Sequence, residues 1–131
     1  MTEDPEAVLE QAFALDRAGR ERDALIYYER ARALGVPGDL KRRFYIGYGS
    51  TLRNCGRADD AVGVLGEALA DDPSYPPYAA FLSLALLSAG HPRAALAAML
   101  GCALDVAVPG AFDSFERALG SYHQELLEPR E

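Results

Sequence analysis

Two cysteines, one lysine and no apolar run of membrane-spanning length are what this 131-residue sequence has least of. Cys55 and Cys102 alone build neither a disulfide framework nor a metal site. His91 and His123 have no cysteine or carboxylate at ligand spacing, so no metal or cofactor is expected. The most apolar stretch, Tyr78 to Ala89, stops at Gly90, well short of the roughly twenty residues a bilayer requires. The opening Met-Thr-Glu-Asp-Pro carries no basic-then-apolar leader, so the expected location is cytoplasmic and no membrane is expected as a partner. Basic residues are few as well: 13 Lys and Arg against 20 Asp and Glu give a net charge of −7. That excludes a general nucleic-acid binder, which needs a basic stripe along the phosphates. The one basic run, Lys41-Arg42-Arg43, suits the flank of an acidic peptide.

Enzymatic motifs are equally sparse. Gly47-Tyr48-Gly49-Ser50-Thr51 has the glycines of a phosphate loop, but it follows no strand, lies within a helical pattern and lacks the lysine. Neither cysteine has a base that would make it a nucleophile. The chain therefore reads as a non-enzymatic protein.

What the chain does have is helical periodicity throughout, with no convincing strand. Asp4 as N-cap and Pro5 at the first position predict a first helix to about Ala18, with Val8, Ala12 and Leu15 on its inner face. Further helices are expected over about 21–34, 39–54, 58–70, 75–89 and 92–104, and a last one over about 111–128. In that last helix Phe112, Phe115, Ala118, Leu119, Tyr122 and Leu126 make an apolar stripe expected to pack inward, with Asp113, Glu116, Arg117, His123 and Glu125 on the polar face. Ala18-Gly19-Arg20, Cys55-Gly56-Arg57 and Ala89-Gly90-His91 are one punctuation mark written three times. After each comes a small residue (Ala24, Ala61, Ala95), and four further on a bulky one (Tyr28, Leu65, Met99). The small residues stand 37 and 34 apart, the period of a helical-hairpin repeat whose units must stack to bury their apolar faces.

In the second unit the pattern is Tyr45, Tyr48-Gly49, Leu52, Ala61, Leu65, Ala68 and Pro73. The first and third units carry looser versions, ending at Pro37 and Pro109. On these residues the chain resembles the tetratricopeptide repeat family from Val8 to about Pro109. Gly49-Ser50-Thr51-Leu52-Arg53-Asn54 and Ala80-Phe81-Leu82-Ser83-Leu84-Ala85-Leu86 make it similar to small stand-alone bacterial members, repeat group five, of unassigned function. The resemblance implies an all-α right-handed superhelix: one domain over 1–131, repeats at about 5–38, 39–74 and 75–108, and a capping helix.

The same resemblance implies a concave groove, lined by the first helices of the hairpins, that binds a peptide of another protein. Mapped here, the groove draws on Leu9, Phe13 and Arg17, then Arg43, Ile46, Ser50, Arg53 and Asn54, then Phe81, Leu84 and Leu87. The family's carboxylate-gripping positions fall on Leu9, Phe13, Gly47, Pro77 and Phe81, none of which donates to a carboxylate, so a co-chaperone role of that kind is not expected. Arg53 and Asn54 are the expected polar centre; the competing reading has Arg53 bridging hairpins or pairing with Asp16. In the helix beginning near Tyr75, apolar residues surround Ser83 on every side, and such a helix is normally buried all round. The last helix, a partner or a second copy must cover it, so a homo-oligomer built on the third repeat and the last helix is the alternative function.

Overall fold

A computed structural model describes residues 3–129; positions 1, 2, 130 and 131 of the expected domain lie outside the described residues. Among the described residues seven α-helices follow one another: α1 (Pro5–Arg17), α2 (Glu21–Leu34), α3 (Lys41–Asn54), α4 (Ala58–Asp71), α5 (Pro76–Ser88), α6 (Pro92–Val106) and α7 (Glu116–Leu127). They pair as the hairpins α1/α2, α3/α4 and α5/α6, stacked in chain order, and α7 lies against α6. No strand occurs among the described residues.

The three-fold punctuation has one physical cause. Gly19, Gly56 and Gly90 adopt φ of +77°, +80° and +87°, a left-handed backbone that a β-carbon disfavours. The amide after each glycine then donates five residues back, Arg20 to the Leu15 carbonyl, Arg57 to Leu52 and His91 to Leu86, at 2.8–2.9 Å. The glycine amides donate to the Asp16, Arg53 and Leu87 carbonyls. Each first helix thus ends in the same paired closure, which reverses the chain into the second helix. At the other end of α1, the Glu6 amide donates to Asp4 Oδ1 at 3.1 Å.

Small residues let the helices of a hairpin approach. A β-carbon on Gly49 would stand 2.6 Å from Leu65 Cγ, so α3 and α4 cross where one has no side chain. Ala12, Ala24 and Ala61 are fully buried at the equivalent crossings. Between hairpins the filler is aromatic. Tyr28 projects from α2 among Phe13, Tyr48 and Phe44, with ring centroids 5.9–6.1 Å apart. Its hydroxyl donates to Asp16 Oδ2 at 2.8 Å, and the Thr51 hydroxyl donates to the same oxygen at 3.3 Å. One carboxylate therefore ties α1, α2 and α3 together, and hydrogen bonds to a charged group contribute about 1.5–3 kcal/mol each.

The tail departs from expectation. Its helix begins at Glu116 instead of near Ala111, because Asp113 takes a left-handed φ of 56° and a short 3-10 turn, Asp113–Phe115, precedes the helix. The docked face also differs. His123, expected on the polar side, packs over Gly101 of α6, where a β-carbon would lie 2.7 Å from its Nε2. Phe115, Ala118 and Tyr122, expected to pack inward, are exposed. Nor does α7 cover α5: Leu84 and Leu87 remain open to solvent.

Candidate functional site

The first helices α1, α3 and α5 turn successive faces to one side of the stack, and a cavity of about 610 Å³ opens there. Phe13, Ile46, Phe81 and Pro77 form its apolar floor and walls. Arg17, Arg42 and Arg43 stand around it, with Asp16 and Tyr28 at its base. Helical spacing explains the grouping: Arg43, Ile46, Gly47 and Ser50 are three or four residues apart and share one face of α3.

Two of the arginines are held in place by aromatic rings. The Arg43 guanidinium lies 4.1 Å from the Phe13 ring centroid, and that of Arg42 lies 4.2 Å from the Tyr75 centroid. Arg42 Nε also donates to Asp72 Oδ2 at 2.9 Å. That bond raises the Arg42 pKa above its ordinary value and lowers that of Asp72. Glu10 approaches Arg43 only to 3.9 Å, and Arg17 makes no ion pair among the described residues. Asp16, the acidic group within the cavity, is already bonded by Tyr28 and Thr51. Burial, reinforced by that carboxylate, pushes the Tyr28 pKa far above the usual tyrosine value, so Tyr28 stays a neutral donor. The cavity is thus an apolar trough with a cationic rim, on a chain of net charge −7.

Of the expected groove residues, Phe13, Arg17, Arg43, Ile46, Ser50 and Phe81 come together here. Five do not. Leu9 is fully buried in the core. Arg53 is drawn across to the next hairpin, its Nε donating to Ser88 Oγ at 2.9 Å. Asn54 Nδ2 donates to Glu21 Oε1 at 2.9 Å, at a shallow depression beside the hairpin turn. Arg53 and Asn54, expected as the polar centre, are thus each bonded to a neighbouring hairpin, while Arg17, Arg42 and Arg43 line the cavity. Leu84 and Leu87 lie outside the cavity, toward the open end of the stack. Arg42 and Tyr75 were not expected, although the run Lys41-Arg42-Arg43 carried the signal.

A second cavity, about 740 Å³, lies beneath α7, between Tyr75 and Pro76 on one side and Ala98, Gly101 and Leu126 on the other. It is larger, but its wall is mostly apolar, with Asp105 its only acidic and His123 its only imidazole side chain. It offers few groups that would orient a ligand. Among the described residues, no cluster of three His, Cys, Asp or Glu is able to hold a metal ion, and no helix is long and apolar enough to cross a membrane.

Comparison with known proteins adds two findings. The sequence matches the family described as Tetratrico peptide repeat over residues 5–126. The fold is similar to that in the crystal structure of PcrH from Pseudomonas aeruginosa, with a TM-score of 0.64. That likeness covers 98% of this chain and 96% of that one at 17% sequence identity, a similarity of fold. No curated protein matches the sequence.

Proposed function

The chain belongs to the tetratricopeptide repeat family, and from that premise we propose a non-enzymatic protein-interaction module whose concave groove captures an extended segment of another polypeptide. The observation that carries this reading is the trough of Phe13, Ile46 and Phe81 rimmed by Arg17, Arg42 and Arg43. An apolar trough takes a bulky side chain, and a guanidinium rim pairs with a neighbouring carboxylate, bidentately where geometry allows. Stacking on Phe13 and Tyr75 holds two of the guanidiniums ready, which lowers the ordering cost of binding. The preferred segment therefore carries an aromatic or branched apolar residue beside Asp, Glu or a free C-terminus. Because the rim is partly exposed, its charge steers approach and sets specificity more than it sets affinity.

Selection from a random peptide library on the immobilised protein tests this. Enriched peptides are expected to share an apolar–acidic pair and to be lost on Ile46→Asp, with Arg17→Glu and Arg43→Glu weakening them further. Enrichment of basic or charge-neutral peptides, or of peptides indifferent to these substitutions, contradicts the proposal.

A further inference from the structure

One position repeats through all three hairpins and loses its cover at the last. Tyr28 is 0% exposed, Leu65 is 1% exposed and Met99 is 41% exposed. The residue three before it behaves alike: Leu25 is buried, Val62 half-buried and Leu96 exposed. On the first helices, Arg53 reaches forward to Ser88 of the following hairpin, and its counterpart 34 residues on, Leu87, faces solvent. The third hairpin therefore ends in an empty slot of the kind that α3 and α5 fill in the hairpins before it.

The chain's own last helix does not fill the slot. It is held along α6 by His123 over Gly101 and by the Arg93 guanidinium donating to the Glu125 carbonyl, and it makes no comparable contact with α5. On a helical wheel of about 100° per residue, Leu119, His123 and Leu126 form one edge of its apolar stripe. Those are the covered residues, while Phe115, Ala118 and Tyr122 form the open edge. The same end of the molecule thus presents both an unfilled helix slot and a helix with half of its apolar stripe uncovered.

We propose that the occupant is a second copy of this chain, with the Phe115–Tyr122 edge of each copy seated in the slot formed by Leu84, Leu87, Leu96 and Met99 of the other. A two-fold axis satisfies both needs in one closed contact, since each copy supplies a slot and a helix. Charge distribution supports a second copy of so acidic a protein. Between residues 84 and 127 the only charged residues are Arg93, Asp105, Asp113, Glu116, Arg117 and Glu125, whereas charged residues make up 25% of the chain. Apart from Ile26 and Leu34, every large exposed apolar side chain among the described residues lies between Leu84 and Leu127. Depletion of charge with exposed Met, aromatic and leucine side chains is the composition of an interface core. The surface is separate from the groove, whose cavity does not include Leu84, Leu87 or Met99. Self-association and peptide capture are therefore independent.

Sedimentation equilibrium from micromolar to millimolar concentration tests the proposal on wild type, Leu87→Glu, Tyr122→Glu and Ile26→Glu, with circular dichroism to verify folding. All three substitutions fall on exposed side chains. Wild type and Ile26→Glu are expected to dimerise alike, and the other two to raise the dimer dissociation constant about tenfold or more. A second readout mixes Leu87→Cys and Tyr122→Cys chains, each with Cys55→Ser and Cys102→Ala, and adds a short bis-maleimide. Covalent heterodimer is expected from the mixture. A monomer at every concentration, an open ladder of larger species, a dimer indifferent to Leu87→Glu and Tyr122→Glu, or equal dissociation by Ile26→Glu overturns it.

Discussion

Position 47 has no room for a side chain, because Tyr28 occupies it: a β-carbon on Gly47 would stand 2.8 Å from the Tyr28 Cζ and closer still to its hydroxyl. Tyr28 cannot move aside. It is fully buried, ringed by Phe13, Phe44 and Tyr48, and bonded to Asp16. The glycine thus fixes how closely the first two hairpins approach and sets the base of the groove.

Gly47→Ala is accordingly expected to destabilise the protein. Overpacking costs about 1–3 kcal/mol, offset in part by the roughly 0.5–1 kcal/mol that alanine gains over glycine in a helix. Gly63→Ala makes the control, because a β-carbon there meets nothing within 4 Å on an exposed face of α4. It should stabilise by about 0.5–1 kcal/mol. Urea denaturation of the two variants checks the opposite signs; two changes of the same sign contradict the packing described.

The repeats are equivalent in sequence but not in burial, and alanine substitution at one shared position exposes this. Leu65→Ala should cost about 2–5 kcal/mol, the range for a fully buried leucine. Met99→Ala, at the corresponding position of the third hairpin, should cost under about 1 kcal/mol in the monomer, because its side chain is 41% exposed. Equal losses in the two variants, measured at low protein concentration, would mean that the third hairpin is closed.

Much of this was legible from residues with one physical role. The left-handed glycines at 19, 56 and 90 and the small residues Ala24, Ala61 and Ala95 identify the hairpins, their stacking order and the family. The side of the stack followed from that register, and Phe13, Arg43, Ile46 and Phe81, placed together by it, line one cavity there. What stayed hidden depended on side-chain reach. Whether Arg53 points into the groove or across to Ser88 is decided by a flexible side chain and a partner 35 residues away. The docking of α7 was hidden for a related reason. Its apolar stripe was visible, but the glycine at 101 that draws His123 inward becomes meaningful only once the two helices meet.

Alkaline pH should weaken the fold. Burial, reinforced by Asp16, raises the Tyr28 pKa, and burial likewise raises those of Tyr45, Tyr48 and Tyr78. An unfolded tyrosine titrates near 10. The stabilisation is therefore complete below about pH 10, and is lost as pH rises toward the higher folded values, because the unfolded chain releases protons that the folded chain keeps. Denaturation midpoints at about pH 9 and about pH 11 check this, with a smaller drop expected for Tyr45→Phe. Constant midpoints would contradict the burial of these hydroxyls.

The groove itself is tested most directly by nuclear magnetic resonance titration with a library-selected peptide carrying one apolar–acidic pair. Amide shifts should concentrate at Phe13 to Arg17, Arg42 to Ser50 and Pro77 to Phe81, and Arg43→Glu should weaken binding about tenfold, with a shallower salt dependence. Shifts confined to the cavity walls at Ala94 to Val106 and Leu126, or binding unaltered by Arg43→Glu, would contradict the concave groove as the site of capture.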